Sequence, residues 1–279
     1  MTDLQSHDSP LSPDDQVSSL RVILVETETP GNLGACARAM KSMGLRALRL
    51  VSPRRRDGAE AFARAVSARD VLESATEHPD LSEATRDCGL MIAASGKRSG
   101  LDLPCLSPRE AARALWEAER NALASEGPMP ALILGRESRG LTRAELNLCH
   151  AQVLIPTHPT CPSLNLGSAL QVLAYEHWVM RLSERGLESQ GDSDTSDTSD
   201  TSDTSDTSDT SEPLASAAQR EHLLAQLERL AVEVGSLDPN NPRQMMSRLS
   251  SLFSRARPHK AELSLLQSII GRALNMNKH

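Results

Sequence analysis

Between residues 20 and 182, short unbroken aliphatic runs alternate with longer stretches of helical periodicity. The runs at 20–25, 45–51, 90–94, 131–134 and 152–155 are predicted strands, with a weaker candidate at 70–72. Helices are predicted over 34–43, 59–66, 81–88, 108–124, 143–149 and from 163 to about 182. Strands without polar alternation are buried on both faces, and intervening helices supply the crossovers that parallel pairing requires. The pattern predicts an α/β domain on a parallel sheet, covering residues 20–186. In such a sheet, ligands bind beyond the carboxyl ends of the strands.

The rest of the chain reads differently. Residues 1–19 are polar and acidic and are predicted to be disordered. Residues 187–214 hold five uninterrupted Thr-Ser-Asp repeats, a composition that builds no core and repels itself. They are predicted to be a linker. Residues 215–279 carry three helical stretches, 217–232, 243–254 and 260–274, the first with Leu223, Leu224, Leu227 and Leu230 recurring on one face. A turn is predicted at 237–242. The last 39 residues hold Arg243, Arg248, Arg255, Arg257, Lys260, Arg272 and Lys278 against a single acid, Glu262. This small all-helical extension is a candidate phosphate-binding face.

Composition narrows the functions. Taken as a whole-chain average, the net charge of −7 disfavours a nucleic-acid partner. Twelve acids lie in the first twenty residues and the repeat tract, however, which leaves 25 acids against 30 Lys and Arg elsewhere. Aromatic residues are only 2%, which excludes a platform of stacked aromatics and predicts an aliphatic core. No apolar window is long enough to span a membrane, and the amino terminus lacks the pattern of a signal peptide. Cys36, Cys88, Cys105, Cys149 and Cys161 have no zinc-ligand spacing and read as buried free thiols in a reducing cytoplasm. The histidines show no metal spacing either, so no metal is expected.

Three segments each follow a predicted strand. The first is Glu26-Thr-Glu-Thr-Pro-Gly-Asn-Leu-Gly34, where Gly31 and Gly34 suit a tight turn, Asn32 a helix cap, and Arg38 lies one turn on. Its glycine spacing is not that of a dinucleotide fingerprint, and no P-loop Lys follows. The second is Gly135-Arg-Glu-Ser-Arg-Gly-Leu141, a charged tetrapeptide between glycines. The third is residues 156–165, with Ser163 as the expected cap of the long helix.

Read together and in order, Glu26-Thr-x-x-Pro-Gly-Asn-Leu-Gly with Arg38, Gly135-Arg-Glu-x-x-Gly-Leu and Ser163-Leu-Asn-Leu resemble the three motifs of the SPOUT RNA 2′-O-methyltransferases. Residues 20–182 resemble the catalytic domain throughout. Leu237-Asp-Pro-Asn-Asn-Pro-Arg243 with Met246, Arg248 and Leu252-Phe253 resembles the helical extension of the members that methylate cytidine or uridine at position 32 of the tRNA anticodon loop.

The resemblance implies a trefoil knot at the carboxyl end of the sheet, an exception to the rule that chains do not thread. It implies S-adenosyl-L-methionine as cofactor, walled by Ala94, Ser95 and Gly96, by Gly135, and by Ile155, Pro162, Ser163 and Leu164. It also implies a homodimer with sites near the interface. Arg38 matches the arginine regarded as essential, while Asn32, Glu137, Ser163 and Asn165 match the other polar site residues. The expected catalytic set is Arg38, Ser163 and Asn165. The expected RNA contacts are Asn32, Arg38, Glu137, Arg243, Arg248, Arg255, Arg257 and Lys260. Methylation of another tRNA or ribosomal RNA nucleotide, or RNA binding without catalysis, are the competing readings.

Overall fold

The computed structural model describes residues 17–54, 59–184, 213–237 and 243–276. The predicted amino-terminal segment up to residue 16, most of the linker and the turn at 238–242 lie outside the described residues. Seven strands form one fully parallel sheet. In chain order they are β1 (Arg21–Val25), β2 (Leu48–Val51), β3 (Thr76–His78), β4 (Cys88–Ser95), β5 (Cys105–Leu106), β6 (Met129–Leu134) and β7 (Ala151–Leu154). Their spatial order is β3-β2-β1-β6-β4-β7-β5. The helices between them are α1 (Pro30–Ser42), α2 (Ala59–Ala65), α3 (Arg69–Glu73), α4 (Leu81–Thr85), α5 (Pro108–Ser125), α6 (Arg143–Leu146) and α7 (Leu166–Glu184).

The two faces of the sheet are covered unequally. One packs Leu20, Val22, Leu24, Leu50, Ile92, Leu132 and Val153 beneath α1, α2, α3, α5 and α7. The other packs Ile23, Val25, Met91, Ala93 and Ile133 against the short helices α4 and α6, the Leu101–Leu103 loop and Ala217 of the extension. Both layers are aliphatic, as the composition requires. The eight-residue β4 is central and buried until its last two positions.

Several boundaries differ from the sequence reading, each for a physical reason. Residues 70–72 are helical, in α3, and the edge strand is the next segment, β3. Only two of the three β3 side chains are exposed and charged or hydroxylated, a common edge-strand device that hides it from an aliphatic pattern. The two-residue β5 was too short to predict. The α1 helix begins at Pro30, so Gly31 and Gly34 lie inside it rather than in a turn. Gly34 serves close packing, since a Cβ there would sit 2.2 Å from the Ala61 carbonyl of α2.

The fold also begins earlier than Leu20. Ser18 is buried, pairs with Leu45 as an isolated bridge, and donates to both oxygens of Glu119 in α5 (2.8 and 2.9 Å). His177 of α7 approaches the same carboxylate at 3.2 Å. Burial works to raise the Glu119 carboxyl, but His177, Ser18 and the Ser19 N–H outweigh it and hold it below the usual range. Of the cysteines, Cys36, Cys88 and Cys149 are buried, whereas Cys105 is half-buried and Cys161 is exposed. Burial pushes the Cys149 thiol up to about 12.

The extension folds as α8 (Ala217–Glu233), α9 (Arg243–Ala256) and α10 (Lys260–Met276). Leu223, Leu263, Ile270 and Leu274 form its own small core. It docks on the thinly covered side of the sheet domain, at the amino ends of the strands. The Ala218 N–H donates to the Arg86 carbonyl (3.1 Å), and Ala217 packs against the second face. Arg220 is buried, donates to the Leu148 carbonyl (3.1 Å) and lies against the His150 ring. Burial, then the charges of Arg220 and Arg257, hold the His150 ring well below its ordinary value, hence neutral, and its Nδ1 accepts from the Met91 N–H (3.0 Å).

Replacing Arg220 with Ala leaves a buried carbonyl without its donor, which costs about 1–3 kcal/mol. Urea unfolding should show that loss, and hydrogen exchange at the Ala218 N–H should accelerate as the extension loosens.

Candidate active site

The strand order places four loops side by side. Strands β1, β6, β4 and β7 are consecutive neighbours, with Leu24 opposite Leu134, Ala94 opposite Leu134 and Ser95 opposite Leu154. The segments that follow their carboxyl ends therefore converge at one edge, and all three sequence motifs are among them.

Glu137 joins them. Its carboxylate accepts from the N–H groups of Glu28 (2.9 Å) and Thr29 (3.1 Å), just ahead of α1. It also accepts from Nδ2 of Asn32 (2.8 Å). Thr29, at the N-cap position, makes no side-chain cap of its own, and neither does Asn32, which is the third helical residue. The cap expected of Asn32 is thus supplied by a carboxylate from a different loop, and a negative charge at a helix amino terminus is favourable. Burial works against the Glu137 charge. The donors from Asn32, Glu28 and Thr29 outweigh it and hold the carboxyl below the ordinary range.

The line continues into the third motif. Asn165 donates from Nδ2 to Oδ1 of Asn32 (2.9 Å) and accepts from the Gly167 N–H (3.0 Å). Asn165, not Ser163, therefore caps α7, which begins three residues after Ser163. Motifs that are more than a hundred residues apart in the chain share one continuous hydrogen-bonded path.

Arg136 braces the second loop from below. It is buried, holds both oxygens of Glu145 (2.8 and 2.9 Å) and pairs with Glu26. The loop closes on itself through the Gly140 N–H and the Arg136 carbonyl (2.8 Å). A Cβ on Gly135 would stand 2.3 Å from the Gly140 backbone, so only glycine fits. Arg136 hydrogen bonds, first with Glu26 and then Glu145, push its pKa up, and the same contacts lower Glu145 against its burial and lower Glu26.

The other expected residues fall around this frame. Arg38 is exposed on α1 and, among the described residues, has no ion-pair or hydrogen-bond partner. The structure does not join it to the Glu137–Asn32–Asn165 path. Ala94 and Ser95 are half-buried at the end of β4, and Gly96 is exposed with open space where a Cβ would stand. Ile155 is half-buried against the core, while Pro162, Ser163 and Leu164 are exposed, Leu164 by 41%. In the extension, Arg248 and Lys260 are exposed and Arg243 opens α9. Arg255 pairs with Asp102, and Arg257 lines a crevice with His150 and Arg220. Both border the sheet domain and remain exposed. The bracing role of Arg136 was missed; the signal lay in its place beside Glu137 and in the unpaired acid of Glu26. Among the described residues no group could hold a metal ion, and no helix is long and apolar enough to cross a membrane.

Comparison with known proteins accounts for this arrangement. The model of the SpoU rRNA Methylase family matches residues 19–175, from β1 through most of α7. The chain belongs to the SpoU methylase family. The model of the tRNA methyltransferase TrmJ carboxyl-terminal domain matches residues 218–278. A Pseudomonas aeruginosa protein named tRNA (cytidine/uridine/adenosine-2′-O-)-methyltransferase TrmJ is 38% identical over 251 residues, covering 90% of this chain and 92% of that one. A Salmonella typhimurium tRNA (cytidine/uridine-2′-O-)-methyltransferase TrmJ is 36% identical, covering 94% and 99%. The crystal structure of TrmJ from Z. mobilis ZM4 superposes with a TM-score of 0.71 at 25% identity, covering 91% of this chain and 99% of that one. The parallel sheet and the helical extension are thus SpoU-type architecture with a TrmJ-type tail.

Glu137→Gln removes the charge that caps α1 and should cost about 1–2 kcal/mol at neutral pH. Because folding lowers the Glu137 pKa, its contribution is full above the ordinary carboxylate range and fades as pH falls through the lowered value. Urea unfolding from neutral to acid pH should therefore show a shallower acid loss in the variant than in the wild type.

Proposed function

We propose that this protein transfers a methyl group from S-adenosyl-L-methionine to the ribose 2′-hydroxyl of a cytidine or uridine in tRNA, at position 32 of the anticodon loop. The observation that carries the reading is the Glu137–Asn32–Asn165 path, which holds the three motif loops as one unit at the carboxyl edge of the sheet. The names of relatives matched over nine-tenths of the chain agree with it.

The loops after β4, β6 and β7 stand side by side, and their residues suit the cofactor. Gly96 leaves open space, Leu164 offers an exposed apolar side chain, and Ala94, Gly135, Ile155 and Pro162 supply backbone at the walls. When bound, the cofactor supplies an activated methyl group on a sulfonium, which needs no metal for its transfer. The chain's own task is to align the hydroxyl and help it lose its proton. A guanidinium offers only donors, so Arg38 is not the base. Its free guanidinium instead engages the hydroxyl and a neighbouring phosphate as a fork. Ser163, exposed in the third motif loop, assists. Asn165 has both ends of its amide engaged, so it is a positioning residue that fixes the start of α7.

Three finer features belong to the same reading. A trefoil knot at the carboxyl end of the sheet is supported by the strand order, in which β6 enters between β1 and β4. A homodimer through the α1 and α7 side is supported by Tyr175, a large side chain left 52% exposed on α7. A cytoplasmic location is supported by the buried free thiols of Cys36, Cys88 and Cys149.

Labelled cofactor offered with bulk tRNA and with ribosomal RNA tests the reading. Label should enter tRNA and map to a pyrimidine ribose of the anticodon loop; label in ribosomal RNA alone, or none, overturns it. Arg38→Lys should lower kcat/KM by about 100-fold, since an ammonium cannot reproduce the fork. Near-full activity in that variant would remove Arg38 from the role.

A further inference from the structure

Basic residues on the sheet domain differ in how they are satisfied. Arg21 and Arg49, which project from β1 and β2, both hold Asp87 (2.7 and 2.6 Å). Lys97 and Arg98, just beyond β4, are exposed, and their side chains have no ion-pair or hydrogen-bond partner among the described residues. Two adjacent like charges without a counter-charge repel one another, so their placement gives the fold nothing by itself.

The loop that carries them is nevertheless fixed at both ends. Ser95 Oγ donates to the Lys97 carbonyl (2.7 Å), closing a turn around Gly96. The Ser99 N–H donates to Oε1 of Gln152 (3.1 Å), a side chain buried in β7. Gly100 follows with φ of 69°. Register then fixes the location. Ser95 lies opposite Leu154 and Ala94 opposite Leu134, so the tip stands between the second and third motif loops.

We propose that Lys97 and Arg98 form a phosphate-binding tip that holds the RNA backbone beside the methyl-transfer site. The inference rests on the tRNA reading above and adds to it a contact surface outside the three motifs. A braced loop loses little freedom on binding, so more of the charge attraction survives as affinity. Phosphate contacts position an RNA without reading its sequence, which suits a tip beside a site that must align one ribose. Lys offers a point charge and Arg a two-pronged donor, a combination that suits adjacent phosphates.

The test is a mobility-shift titration of tRNA with the full-length protein at several salt concentrations. Each phosphate contact contributes about 0.7–0.9 to the slope of log affinity against log salt. Lys97→Ala/Arg98→Ala should therefore flatten the slope by about 1.4–1.8. The charge-conserving exchange Lys97→Arg/Arg98→Lys should keep the wild-type slope. So should Arg46→Ala, which removes an exposed cation at the opposite edge of the sheet. Cofactor affinity by calorimetry should match the wild type in all three. A double-alanine variant that keeps the slope, while the wild type binds tRNA, overturns the tip alone. Loss of cofactor affinity in that variant also overturns it, by showing that the loop serves the cofactor. A wild type that binds no tRNA overturns the tRNA reading and the tip with it.

Discussion

One carboxylate organises the chemistry-bearing edge of this protein. Glu137 takes three donors, two from the backbone ahead of α1 and one from Asn32. Without it the first turn of α1 would have no side-chain cap, because Thr29 makes none. Asn32 then passes the constraint to Asn165, and Asn165 to the start of α7. The start of α1 is thus set by a side chain from another loop, and the local cap of α7 is tied to it through Asn32. Such a design aligns the loops with one another through a shared set of hydrogen bonds.

That design explains what was legible in the sequence and what was not. Unalternating aliphatic runs announced the parallel sheet, because burial on both faces leaves a direct mark on composition. The motif loops were legible as segments after strands. Their wiring was not. A carboxylate supplied from more than a hundred residues away leaves no local signature, so Asn32 was given a capping role that Glu137 performs, while at α7 the cap is local but lies two residues beyond Ser163, at Asn165. The edge strand β3 and the two-residue β5 escaped for a related reason, since neither buries enough side chains to impose a pattern.

The extension shows the limit of counting charges. Its basic excess read as one phosphate-binding face. Arg255 and Arg257 are exposed but also border the sheet domain, and Arg220, from the first helix of the extension, is the buried contact just ahead of β7. Charge density is a property of the sequence; which charges remain available for a partner is a property of packing.

The docking site has a geometric consequence. The extension rests at the starts of the strands, whereas the motif loops lie beyond their ends. Strand β4 alone has eight residues, about 26 Å at roughly 3.3 Å per residue. An RNA that touches both regions of one chain must be at least that long, so the protein is built as a caliper. Any one partner that reached both regions of a single chain would have to bridge the whole height of the sheet.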